Sequence, residues 1–258
     1  MDASNIDKVH TLLKGIESGD PAAVNVINPD VYIQHNPQTH EGRAGLAALF
    51  LRLSKTNPRV NIVRAFQDGD YVFAHTEYDF ATRRIGFEVF RFEQGLAVEH
   101  WDNIQPRHGP NAAGRSMVDG PTETDDPDRT DANRALVRAF TETVLIARQL
   151  DQAEAYFGDT DLIQHNPHGE DGAAAFREAL EAPSNAGPNA GHEIQFDRLH
   201  RVLAQGNFVL AVSEGFRDGV HSAFYDLYRI SDCRIVEHWD TIEAVAPKSE
   251  WKNDNGKF

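Results

Sequence analysis

The chain has 258 residues, and 25 basic against 40 acidic side chains give 25 − 40 = −15, with a pI near 5.1. That charge repels phosphate backbones and argues against nucleic acid as a partner. A hydrophobic share of 40% excludes wholesale disorder, while no apolar run nears the ~20 residues of a membrane span.

The start, MDASNIDKVH, lacks the layout of a secretory signal. The single Cys233 has no intrachain partner, so a cytoplasmic protein is expected. Ile6, Val9, Leu12, Leu13 and Ile16 recur at helical spacing, with Ser4 or Asn5 as N-cap. Gly19-Asp20-Pro21 stops that helix and starts another. A short strand over 31–34 leads into the turn His35-Asn36-Pro37, and a helix is predicted over 43–54. Four β-runs follow at about 59–67, 70–80, 82–92 and 95–105, with tight turns at Asp68-Gly69 and Gln94-Gly95.

Residues 106–130 contain four prolines and three glycines with almost no apolar periodicity, which reads as a linker or a lid. Thr130 is the expected N-cap of the next helix, over 132–147. A shorter helix over 152–157, a strand over 161–164 and a helix over 172–181 come next. A Gly/Pro/Asn loop at 185–191 precedes β-runs near 192–204, 207–217, 220–230 and 233–243.

The two halves are copies. Ile33-Gln34-His35-Asn36-Pro37 recurs as Ile163-Gln164-His165-Asn166-Pro167, an offset of 163 − 33 = 130. Val98-Glu99-His100-Trp101-Asp102 recurs as Val236-Glu237-His238-Trp239-Asp240, an offset of 236 − 98 = 138. Conserved order with a small drift marks a tandem duplication. The expected division is domain 1 over 1–105, a linker or lid over 106–130, domain 2 over 131–245 and a tail over 246–258. Helices followed by a four-stranded antiparallel meander define an α+β class. Such a sheet curves around its helices and leaves a pocket at the open end of the cone.

With Val89-Phe90-Arg91-Phe92 and Tyr225-Asp226-Leu227-Tyr228-Arg229 beside those strings, both halves resemble the SnoaL-like branch of the ketosteroid-isomerase and NTF2-like superfamily. The resemblance implies two tandem cone-shaped, cystatin-like domains. It also implies cofactor-independent acid/base chemistry, an aldol cyclisation or isomerisation, on a small apolar carbonyl compound. In that branch a carboxylate stands at the positions of Glu88 and Asp226, and the histidine of the polyketide cyclases falls at His75, where the second half has Val212.

Strand alternation puts His100 and Asp102 on one face and Glu99 and Trp101 on the other, and likewise His238 and Asp240 against Trp239. The first face is taken to line the cone. The second, with the two tryptophans, is taken as an interface, in an intrachain pseudo-dimer or a homodimer. Glu88 with His75, and Asp226 with His238, are the candidate catalytic groups. A carboxyl group in an apolar cone has the raised pKa a general acid needs. Asn36, His35, His100, Asp102 and Phe90, with Asn166, His165, Tyr228 and Asp240, are the candidate substrate contacts. Asn36 stands where the isomerases place their base aspartate, and an amide cannot take that proton.

Each group also has a structural reading: Asn before Pro as a turn residue, and His100 with Asp102 as an internal hydrogen-bonded pair. No cofactor fingerprint is present. A metal held by His35, His75, His100 and Asp102 is the competing chemistry, and no metal site is assigned. Two other functions stay open: a non-enzymatic ligand-binding or dimerisation module, and a hydrolase of the epoxide-hydrolase kind.

Overall fold

The computed structural model describes residues 3–157, 162–181 and 192–258. It divides into two units, Met1–Arg107 with Ala246–Phe258, and His108–Val245. The tail expected to stand apart from both halves is thus part of the first unit. Of the 106–130 segment, expected as a linker or lid, residues 108–130 fall within the second.

In the first unit, helix α1 (Asn5–Ser18) opens on a capping box, Ser4 and Asp7 each accepting the other's backbone N–H at 3.1 Å. Gly19 ends it at φ +66, a left-handed conformation suited to glycine. Pro21–Val26 forms a 3₁₀ turn capped by Asp20 rather than a second α-helix. Strand β1 (Ile33–Gln34), helix α2 (Gly42–Ser54) and strands β2 (Arg59–Asp68), β3 (Tyr71–Asp79), β4 (Arg83–Glu93) and β5 (Leu96–Pro106) follow. The sheet order is β1-β5-β4-β3-β2. The expected meander therefore gains a fifth strand, since β1 pairs parallel with β5, Gln34 opposite His100. Val9, Leu12 and Ile16 of α1 and Phe50 of α2 pack with Val72, Phe90 and Phe92 of the sheet into one core.

The second unit repeats the plan. Helix α3 (Thr130–Phe140) runs into a π-helical turn, Thr141–Ile146. Thr130 is its first residue, not its cap. The threonine hydroxyl instead donates to the Pro127 carbonyl at 2.7 Å and accepts the Gly206 N–H at 2.8 Å. Leu150–Ala155 is a 3₁₀ turn rather than an α-helix. Strand β6 (Ile163–Gln164) and helix α4 (Ala173–Glu181) precede β7 (Ile194–Gln205), β8 (Phe208–Arg217), β9 (Val220–Ser231) and β10 (Arg234–Ala244). Their order is β6-β10-β9-β8-β7, with Gln164 opposite His238. The expected 185–191 loop lies outside the described residues. Each unit is thus an α+β domain, helices packed on a five-stranded sheet. Among the described residues no helix is long and apolar enough to cross a membrane.

Candidate functional site

Directly opposed residues in a sheet share a face, so the register sorts the candidates. In the first unit Ala74, Glu88 and Asp102 stand in one row across β3, β4 and β5, and Phe90 opposes His100 in the next. In the second unit the same rows are Ala211, Asp226 and Asp240, then Tyr228 and His238. Phe90 and Tyr228 belong to the helix-facing cores, so these rows lie on the inner face of each sheet.

In the first cluster Glu88, His100 and Asp102 are all buried. Gln34 Oε1 accepts the Asn36 backbone N–H at 2.9 Å, which identifies that atom as an oxygen. The same oxygen faces His100 Nδ1 at 3.0 Å, so Nδ1 carries a proton and Nε2 is turned to Glu88 Oε2 at 2.7 Å. A proton between Nε2 and Oε2 can reside on either partner. Tyr78 Oη donates to Glu88 Oε1 at 2.7 Å, and burial, then the Glu88 charge, holds that phenol well above its usual pKa. Asp102 accepts Asn36 Nδ2 at 2.7 Å on one oxygen, and Lys257 Nζ of the tail faces the other at 3.5 Å. The tail is fastened over the His-Asn-Pro turn by Asn253 Nδ2, which donates to the carbonyls of Asn36 and Thr39 at 2.8 and 2.9 Å.

The second cluster repeats this geometry around a cavity. Gln164 Oε1 takes the Asn166 N–H at 2.9 Å and faces His238 Nδ1 at 3.0 Å, while His238 Nε2 faces Asp226 Oδ1 at 3.0 Å. Asn166 Nδ2 donates to Asp240 Oδ2 at 2.6 Å. Burial, reinforced by the Asp226 charge, raises the Asp240 pKa against the pull of His238 and the Asn166 hydrogen bond. The cavity of about 470 Å³ has Asp226, His238, Asp240 and Asn166 on its wall beside Phe176, Phe196, Phe224 and Ile242. Polar groups that can transfer protons therefore meet a largely apolar surface.

Three candidate residues do not join these clusters as expected. His75 opposes Phe87, one register step from the Ala74–Glu88 row, so it lies on the outer face. There its Nδ1 faces Arg64 Nη1 at 3.1 Å and its ring packs edge-on against Phe87. Val212, which replaces it in the second unit, has the same outward parity, opposite Tyr225. His35 likewise lies outside: it is stacked on Trp101 at 4.6 Å and paired with Glu99 at 2.8 Å. His165 copies it, stacked on Trp239 at 4.7 Å and paired with Glu237 at 2.8 Å. Burial raises the Glu237 pKa, but hydrogen bonds from His165 and Arg229 outweigh it and the net shift is downward. Phe90 and Tyr228 are on the inner face as expected, stacked on the imidazoles of His100 and His238 at 4.3 and 4.8 Å. Tyr228 steadies the ring from within the core and is not a wall residue of the cavity.

Each cluster presents one imidazole and two carboxylates with donor atoms within 4.8 Å of one another, a set that a divalent cation accepts. It differs from the metal set considered from sequence, because His35 and His75 lie elsewhere. Sequence reasoning gave no role to Gln34, Gln164, Tyr78 or Lys257. The two glutamines were visible inside the repeated pentapeptide. Tyr78 and Lys257 had no repeated counterpart to flag them.

Residues 9–100 match the family model of the SnoaL-like domain. No curated protein matches the chain significantly. Among solved structures, TsrD from Streptomyces laurentii is 20% identical, with 41% of this chain and 91% of that one covered and a TM-score of 0.36. A proposed ketosteroid isomerase from Kribbella flavida DSM 17836 is 19% identical, covering 46% and 84%, with a TM-score of 0.37. IdmH, a proposed polyketide cyclase from Streptomyces antibioticus, is 18% identical, covering 40% and 93%, with a TM-score of 0.35.

Proposed function

We propose that the chain is a cofactor-independent proton-transfer enzyme of the cyclase or isomerase type, a reading supported by the match of residues 9–100 to the SnoaL-like domain and by the second unit's repeat of that strand order and buried cluster. Its substrate is a small, largely apolar carbonyl compound, and its working place is the cytoplasm. The observation that carries this reading is the Asp226–His238 pair, with Asp240 beside it, on the wall of the apolar cavity. Asp226, backed by His238, removes the proton next to the carbonyl. Asp240, held toward its protonated form by burial, donates to the carbonyl oxygen as the enolate forms. Gln164 fixes the imidazole tautomer, and Asn166 orients Asp240. Glu88, His100 and Asp102 are the corresponding set in the first unit.

The test is deuterium incorporation from D₂O next to the carbonyl of a ketone sized for the cavity, such as 4-phenyl-2-butanone, followed by NMR. Wild-type chain is expected to exchange the probe, and Glu88→Ala combined with Asp226→Ala to lose that activity while keeping the folded circular-dichroism spectrum. Unchanged exchange in the folded double variant would sink the assignment. Enzyme-dependent opening of an epoxide probe to a diol carrying one solvent oxygen-18, without ketone exchange, would favour the hydrolytic chemistry instead.

A further inference from the structure

The two clusters share a geometry but differ in what completes them. In the first unit the protein's own groups complete it. Tyr78 donates to Glu88 Oε1 at 2.7 Å, and the buried ammonium of Lys257 faces Asp102 Oδ1 at 3.5 Å. In the second unit the register puts Gly215 at the position of Tyr78, four residues beyond Ala211 as Tyr78 is beyond Ala74. No hydroxyl can reach Asp226 from there. The aromatic ring has moved across one strand. Gly86, where a Cβ would meet the Tyr78 ring at 2.7 Å, is replaced at the matching position by Phe224, which walls the cavity.

The Lys257 contribution is missing too, and by composition: residues 108–245 contain no lysine at all. Asp226, only 5% exposed, keeps its Oδ2 without a hydrogen-bond partner among the described residues. Leaving a buried carboxylate oxygen unbonded is costly, and the cost is recovered by whatever ligand supplies a donor. Arg217, His168 and His192 also line the cavity, and the Arg217 charge acts on Asp240 rather than bonding Asp226 Oδ2. A bare carboxylate oxygen and an apolar wall therefore stand where the first unit has a hydroxyl.

We infer that the second site takes a small molecule bearing a protonated amine, whose N–H groups bond Asp226 Oδ2, with its apolar body against Phe176, Phe196 and Phe224. This rests on the same site as the proton-transfer reading and narrows its substrate class to amine-bearing carbonyl compounds. The first unit, already completed by Tyr78 and Lys257, does not bind that class.

Titration calorimetry on the full chain tests it with 4-phenylbutylamine, its neutral isostere 4-phenylbutan-1-ol, and manganese chloride alone. The amine is expected to bind at one site per chain, at least tenfold tighter than the alcohol, with Asp226→Asn abolishing the preference. Melting by circular dichroism checks that the variant is folded, and Asp240→Asn serves if it is not. The comparison of the two ligands on wild-type chain needs no variant. Equal affinity for amine and alcohol, a preference that survives Asp226→Asn, or two amine sites per chain would overturn the inference. Manganese that binds in place of the amine, and more tightly, would also overturn it and assign the cluster to a metal ion. Calorimetry reads binding alone. Amine preference without deuterium exchange would therefore sink only the proton-transfer reading, and ketone exchange without amine preference only this one.

Discussion

Replacing Gln164 with leucine removes one oxygen on which two buried donors depend. Gln164 Oε1 accepts the Asn166 backbone N–H at 2.9 Å and the His238 Nδ1–H at 3.0 Å, and the side chain is buried. Leucine is similar in bulk, so the apolar packing is largely kept and the loss is polar. A buried donor left unbonded costs ~1–3 kcal/mol. Two of them put the expected destabilisation at roughly 2–6 kcal/mol, before any relaxation of the turn. At roughly 2–4 °C per kcal/mol, the melting transition of the second unit should fall by about 4–24 °C. Urea unfolding followed by fluorescence gives the free energy directly, with an unchanged m-value expected. Gln34→Leu removes the same pair of bonds in the first unit and should cost a similar amount. A loss below about 0.5 kcal/mol in both variants would refute the claim that these glutamines hold the imidazoles in place.

Further outcomes follow from the carboxylates. The folded pKa of Asp240 is raised, so the stability it contributes is fully present below its unfolded value and is lost as pH rises through the folded one. Asp240→Asn should therefore flatten that part of the pH–stability curve and raise stability at pH 7, while lowering deuterium exchange; urea midpoints from pH 3 to 8 check it. Glu237 has the opposite sign, its stabilisation being present above the unfolded value and lost as pH falls through the folded one. Glu237→Gln should lessen acid destabilisation over that same acidic range, read from the same midpoints. Tyr78→Phe leaves Glu88 Oε1 without its donor and should destabilise the chain by ~1–3 kcal/mol, measured by urea unfolding.

Much of this site was legible before any coordinates. The duplicated strings mark His100 with Asp102 and His238 with Asp240, and alternation of two puts each pair on one face of its strand. The resemblance supplied Glu88 and Asp226, and the register brings both into the same row as the aspartates. His75 went astray because alternation orders residues within one strand but leaves open which residue of the neighbouring strand stands opposite. One step of register separates His75 from Ala74, and so the outer face from the inner. His35 and His165 failed for a related reason. They follow two-residue strands whose parallel partner, the last strand of each unit, lies about seventy residues further along the chain. Lys257 was invisible to any local reading. It reaches Asp102 across 155 residues, from a tail without periodicity held by hydrogen bonds of Asn253 and Asn255. The exchange of Tyr78 and Gly86 for Gly215 and Phe224 was likewise hidden until cross-strand partners were known, since each substitution alone looks like drift.

The central claim is that Asp226, backed by His238, moves a proton next to a substrate carbonyl, and solvent-deuterium exchange measures that act itself. With 4-phenyl-2-butanone in D₂O, the account predicts exchange above the buffer rate for wild-type chain. It predicts a fall of about 10²–10⁴-fold for a folded variant that combines Glu88→Gln with Asp226→Asn, the usual share of a positioned general base. Exchange that proceeds equally in the variant, or that never exceeds buffer although the ketone binds, would contradict it.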